Sequence, residues 1–167
     1  MRTIKILAVS ALVFAAQFSF AQNKSDKMYD TFSNKDGVTN FSFTKNMTDA
    51  FNIDLGEDNE GKELSGDLNK IRFMSYNPKK GDLSGTEFIK KAEALLPSQY
   101  KKYEGDNRDD DADIYLLENN RKFKEFLIFI KNHGEDQMRF VVSFYGDFTV
   151  NDIEGLTETG HGFSDED

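Results

Sequence analysis

Two apolar runs near the C-terminal end constrain the fold more than any other feature. They are Lys122-Phe123-Lys124-Glu125-Phe126-Leu127-Ile128-Phe129-Ile130 and Met138-Arg139-Phe140-Val141-Val142-Ser143-Phe144-Tyr145. Both are rich in β-branched and aromatic residues, and Asn132-His133-Gly134-Glu135 between them has turn chemistry, so they read as adjacent antiparallel strands. Alternate side chains point to opposite faces. Phe126, Ile128 and Ile130 then share a face with Met138, Phe140, Val142 and Phe144, a natural core beneath helices. The other face carries Phe123, Leu127, Phe129, Val141 and Tyr145, where a sheet wet on one side would be polar. These five residues form a candidate interaction face, open to another envelope protein or to a second copy. The competing reading is a second core layer, or an exchange of the two faces.

The remaining chain supplies more strands and a few short helices. Ser25 is placed to cap a helix reaching about Ser33, with Met28 and Phe32 on one stripe. Asp36-Gly37 marks a turn before a strand over Val38–Thr44, with Phe41 and Phe43 on one face. A brief amphipathic helix through Met47, Ala50 and Phe51, an acidic loop over 54–67 and a strand over Lys70–Tyr76 follow. Ser84 and Glu87 have capping-box spacing, and Phe88, Ala92, Leu95 and Leu96 define a helical stripe that Pro97 ends. Four strands in a meander are predicted at about 99–104, 112–118, 122–131 and 136–146, then a short closing helix with Val150, Ile153 and Leu156 inward. The predicted class is α+β: a single mostly antiparallel sheet with a C-terminal strand meander and short helices packed on one face.

The N-terminus concerns destination. Arg2 and Lys5 precede an apolar run from Ile6 to Ala16, and Ser19 and Ala21 place small residues before Gln22. That is the pattern of a signal peptide over 1–21 cleaved near Ala21. The run is shorter than the roughly 20 residues of a spanning helix. The expectation is a periplasmic or secreted protein without stable membrane insertion. Its one domain would cover 22–156, with an acidic disordered tail at 157–167.

Composition narrows the chemistry. Losing Arg2 and Lys5 with the signal takes the formal charge from −9 to −11, which disfavours nucleic acid and anionic membrane surfaces. There is no Cys, so thiol catalysis, thiolate zinc sites and iron–sulfur clusters are excluded. His133 and His161 lack a second His at ligand spacing. No Ser lies in a nucleophile elbow, and no catalytic residue, cofactor or metal ligand is assigned. The acidic run Gly105–Asp113 fails the calcium-loop register, because Ala112 stands where the sharp-turn glycine belongs. Asp54, Glu57, Asp58 and Glu60 form a similar acidic loop.

Three segments carry a family resemblance. They are the exported N-terminus leading to the Val38–Phe43 strand, the paired runs at 122–130 and 138–145, and the ending Gly146-Asp147-Phe148-Thr149-Val150-Asn151-Asp152-Ile153-Glu154-Gly155-Leu156. Together they resemble domain-of-unknown-function family 4252, from secreted proteins of Bacteroidetes-type bacteria. The resemblance implies a small exported α+β domain and no activity. The proximity of some relatives' genes to sigma-factor regulators hints at envelope sensing. The resulting expectation is a non-enzymatic protein-interaction or sensing module in the cell envelope. A small-ligand or calcium-binding module using the acidic loops is the alternative, and a hydrolase with dispersed groups comes last.

Overall fold

A computed structural model describes residues 25–47, 67–104, 111–119, 122–132, 134–153 and 155–157. Its elements in chain order are helix α1 (Asp26–Phe32), strands β1 (Val38–Thr44) and β2 (Asp67–Tyr76), helix α2 (Gly85–Glu93), and strands β3 (Tyr100–Lys102), β4 (Ala112–Asn119), β5 (Lys122–Ile130) and β6 (Arg139–Phe148). A 3₁₀ turn at Val150–Asp152 follows.

Every strand pairs antiparallel, and the six form one sheet in the order β1-β2-β6-β5-β4-β3. The α+β class and the meander through β3–β6 are therefore as predicted. Sequence pattern did not give the joining step: the β1–β2 hairpin adds to the meander through β2 against β6. Gly37 makes the turn before β1 at φ +79°, and its carbonyl accepts from the Asn77 amide at 2.8 Å. A side chain there would be strained by that backbone angle.

Both faces of the sheet centre are buried. Phe126, Ile128, Ile130, Phe140, Val142 and Phe144 share one face with Ile71, Phe73 and Ile114, joined by Ile153 and Leu156 from the C-terminal end. Leu127, Phe129, Val141 and Met74 line the other face, packed against Met28, Tyr29 and Phe32 of α1 and Phe88, Ile89 and Ala92 of α2. Phe88 sits between Tyr76, stacked at 4.5 Å, and Phe32, edge-on at 5.0 Å.

The expected assignment of faces is thus exchanged. The helices cover the Leu127, Phe129 and Val141 side, not the Phe126 and Ile128 side. Both parities of β5 and β6 are apolar, so alternation alone has no preference between faces. The helical stripes decide it.

Smaller differences have local causes. Residue Ser25 makes no helix cap, because its hydroxyl is bonded to Tyr145 instead. Helix α2 stops at Glu93, and the Leu95 and Leu96 amides turn back to the Ala92 and Glu93 carbonyls. This three-residue winding tightens the chain ahead of Pro97. The Ser84–Glu87 capping box is present. Val150, expected inward, is 59% exposed, whereas Ile153 and Leu156 are buried. The expected helix through Ala50, the acidic loop at 54–60, most of the 105–113 run, both His residues and the tail beyond Thr157 lie outside the described residues.

Phe129→Ala tests the exchanged face. A fully buried Phe sandwiched between sheet and helices should cost roughly 3–5 kcal/mol on truncation, read as a drop in urea midpoint at unchanged slope. A loss within experimental error would mean that this face is open after all.

Candidate functional site

Polar residues on the helical face lie in rows across the strands. One row runs Tyr100, Leu117, Glu125, Tyr145, Lys70, with Leu117 directly opposite Tyr100 and Glu125, Glu125 opposite Tyr145, and Tyr145 opposite Lys70. The next runs Tyr115, Leu127, Ser143, Arg72. Helix α1 and its preceding residue cross above these rows, and Ser25 and Tyr29, four apart, descend onto them in turn. The Ser25 and Tyr145 hydroxyls share a hydrogen bond of 2.7 Å, and the Tyr29 and Ser143 hydroxyls share another of 2.7 Å. Arg72 lies over the Tyr29 ring at 4.0 Å and donates to Asp26 Oδ1 at 2.5 Å.

Glu125 is the chemically distinctive member. It is only 2% exposed, accepts from the Tyr100 hydroxyl at 2.5 Å through Oε2, and leaves Oε1 without a partner. Burial pushes its carboxyl above the ordinary range, against the hydroxyls of Ser25, Tyr100 and Tyr145, which favour the charged form. The neighbouring phenols of Tyr100 and Tyr145 are raised too, first by burial and then by the Glu125 charge. Protonation of Glu125 removes the cost of a buried charge.

Two grooves flank α2. The first, about 410 Å³, is apolar, with Phe32, Tyr76, Leu83 and Leu95 in its wall and Lys35 and Lys91 among its lining residues. The Tyr76 hydroxyl there donates to the Leu83 carbonyl at 2.6 Å and accepts from the Leu83 amide at 2.8 Å. The second, about 470 Å³, is polar and lies between α2 and the β5–β6 turn, with Glu93, Asp113, Lys131 and Arg139 in its wall. Several of its charged groups are already engaged within the chain. Asp113 binds Lys102 at 2.7 Å and Lys131 at 2.5 Å. Burial raises the Asp113 carboxyl, but the two lysines outweigh it and hold the group below its ordinary value. Burial and the Asp113 charge raise Glu93, which accepts from Tyr115, itself pushed up to about 12 by burial and by Glu93. Arg139 donates to the Gln137 and Gly134 carbonyls, both at 2.6 Å. Its guanidinium fills the space beneath Gly85, where a Cβ would come within 2.5 Å.

The five residues of the expected interaction face separate. Leu127, Phe129 and Val141 are fully buried under the helices, and Tyr145 is buried with its hydroxyl on Ser25. Phe123 goes to the opposite face, against the Ile128 and Phe144 cluster, because the register shifts between Phe123 and Glu125. A bulge of this kind reverses the alternation beyond it. The premise that these side chains remain reachable is therefore overturned. Sequence reading missed Glu125, Ser143 and Arg72. The available clue was parity: Glu125 and Ser143 fall at the same parity as Leu127 and Val141 within runs read as strands.

The family described as Domain of unknown function (DUF4252) matches residues 29–156. The chain belongs to this family. No curated protein and no solved structure matches it. The DUF4252 match takes in all six strands and α2, together with Glu125, Tyr100, Tyr145 and both grooves, while Ser25 and Asp26 lie before it. Among the described residues of this DUF4252 domain, no helix is long and apolar enough to cross a membrane. Nor is any group of three or more His, Cys, Asp or Glu placed to hold a metal ion.

The raised Glu125 carboxyl predicts a pH response for the DUF4252 domain. Its folded-state pKa lies above the unfolded value, so the unfolded chain releases this proton first as pH rises from about 4. Stability from this group is fully present below that point and is lost as pH climbs to the raised folded value. Glu125→Gln keeps an acceptor for Tyr100 and abolishes the titration. Its urea midpoint should gain on wild type as pH rises above about 4, until the raised folded value is passed. Parallel profiles across that range would remove Glu125 from this role.

Proposed function

We propose that the chain is an exported cell-envelope protein that acts as a non-enzymatic interaction module, engaging another envelope protein through the apolar groove between α1 and α2. The observation that carries this reading is the contrast between the two grooves. In the polar one Asp113 is paired with two lysines and Arg139 is bound to backbone carbonyls. The apolar one keeps Leu83 and Leu95 only half buried beside Phe32 and Tyr76. Apolar wall left partly wet gains free energy when a partner's side chains cover it. Lys35, Asp36, Asp82 and Lys91 line the same groove, and charges of both signs orient a partner more than they tighten it. Glu125, among the described residues the buried carboxyl with an unmatched oxygen, lines neither groove, which favours binding over acid–base chemistry.

Export rests on the N-terminal pattern of Arg2, Lys5, the Ile6–Ala16 run and Ala21. A sensing role in the envelope of Bacteroidetes-type bacteria follows from the family resemblance and uses the same groove.

Ala94 lines the groove from an exposed position. Ala94→Arg should fill it without touching the core. Crosslinking in intact cells should join wild type to a partner, and Ala94→Arg should lose that product while melting within a degree or so of wild type. An unchanged product would exclude the groove. For export, the protein recovered from the envelope fraction should have the mass of a chain beginning at Gln22. Retention of residues 1–21 would contradict cleavage.

A further inference from the structure

Strand β1 differs in chemistry from the opposite edge of the sheet. Its seven residues, Val38-Thr39-Asn40-Phe41-Ser42-Phe43-Thr44, carry no charge, although 31% of the chain is charged and its net charge is −9. The strand is an edge of the sheet, and among the described residues no strand lies on its outer side. Phe41 is 40% exposed, although it stacks on Phe73 at 4.5 Å and meets Phe43 edge-on at 5.3 Å. The other edge is protected. Strand β3 is three residues long and carries exposed Lys101 and Lys102, and short, lysine-bearing edges resist further pairing. Strand β1 has neither device.

We propose that β1 pairs antiparallel with β1 of a second copy, across a twofold axis at Phe41, so that the two sheets become one. The occupant is a second copy because the strand is its own complement. Centring the pair on Phe41, the middle residue, keeps all seven residues in the ladder and sets Asn40 opposite Ser42, Thr39 opposite Phe43 and Val38 opposite Thr44. No like charges face one another, and such opposition is what destabilises cross-strand pairs. An acidic chain repels its own copies, and the uncharged β1 edge adds no like charge to that repulsion. Edge amides and carbonyls gain partners, and the two Phe41 rings cover each other. The contact is smaller than an obligate dimer interface, so the association is reversible and concentration-dependent. This inference does not depend on the groove.

Sedimentation of the purified protein across a concentration series tests it. The weight-average mass should rise about twofold at the concentrated end. Phe41→Lys and Phe41→Glu should each stay monomeric and folded, with a melting temperature lowered by the lost stacking on Phe73, while an equal mixture of the two should associate again. In wild type, amide exchange over residues 38–44 should slow on concentration, a reading that needs no variant to fold. A mass that stays monomeric throughout would overturn the proposal, and that is the outcome if β1 instead takes a strand from a different envelope protein. Association of Phe41→Lys equal to wild type would overturn it too, as would protection that appears in the α1–α2 groove with none in β1.

Discussion

The β5–β6 pairing is the contact on which the other elements depend. From Glu125 to Ile130 and from Arg139 to Gly146 every residue is buried. Such a ribbon cannot be an outer wall. Each face must be covered, and each buried aliphatic or aromatic side chain contributes roughly 1.5–3 kcal/mol relative to exposure. The position of β6 beside β2 follows, because only a central place in the sheet shields both of its edges. Helices α1 and α2 then cover one face, and Ile153 and Leu156 reach the other after the chain leaves β6 at Phe148. The Thr149–Asp152 capping pair makes that departure, with Asp152 Oδ2 accepting from the Thr149 amide at 2.7 Å and from its hydroxyl at 2.8 Å.

Apolar burial alone does not specify how α1 lies on the sheet, since Leu, Phe and Met contacts tolerate sliding. The hydroxyl pairs do specify it. Ser25 with Tyr145 and Tyr29 with Ser143 are one helical turn apart on α1 and two residues apart on β6. Those spacings are about 6 and 7 Å, from the rises of helix and strand, so both bonds form only when the axis crosses the strands in one register. Displacing the helix would bury unpaired hydroxyls, each costing about 1–3 kcal/mol. Arg72 adds a third tie by holding Asp26 while lying over the Tyr29 ring. Arg139 does comparable work for α2: its guanidinium is tied to the β5–β6 turn and occupies the space beneath Gly85, the first helical residue.

Much of this was legible from residue order. Phe41 and Phe43 on one face of β1, the Ser84–Glu87 capping box, the turn glycine at 37 and the meander through β3–β6 all follow from local pattern and turn chemistry. The placement of layers was not legible. Phe126 and Phe129 are equally apolar at opposite parity, and nothing local says which one meets a helix. Phe123 was misread for a different reason, since a register shift after it leaves no sequence mark beyond Lys122-Phe123-Lys124. Glu125 and Ser143 were missed because single polar residues inside a strand read as solvent-facing. Their burial depends on Tyr100 and on Tyr29, 25 and 114 positions away in sequence respectively. Interactions of that separation are set by topology, which composition does not encode.

The buried polar layer and the uncharged edge solve opposite problems. Among the described residues, buried side-chain polarity under the helices is confined to pairs that complete each other, apart from Glu125 Oε1; on β1 the Asn40 amide also has both polar atoms buried without partners. For Glu125 protonation removes the buried charge; the neutral Asn40 amide has no comparable relief. Its position is nonetheless instructive. Asn40 lies on β1 opposite Met74, with the Phe41 ring on the other face of the same strand. A buried amide without partners weakens the hold of β1 on its own sheet, whereas uncharged neighbours and an exposed ring favour pairing on its outer side. Both effects make β1 the least committed of the long strands.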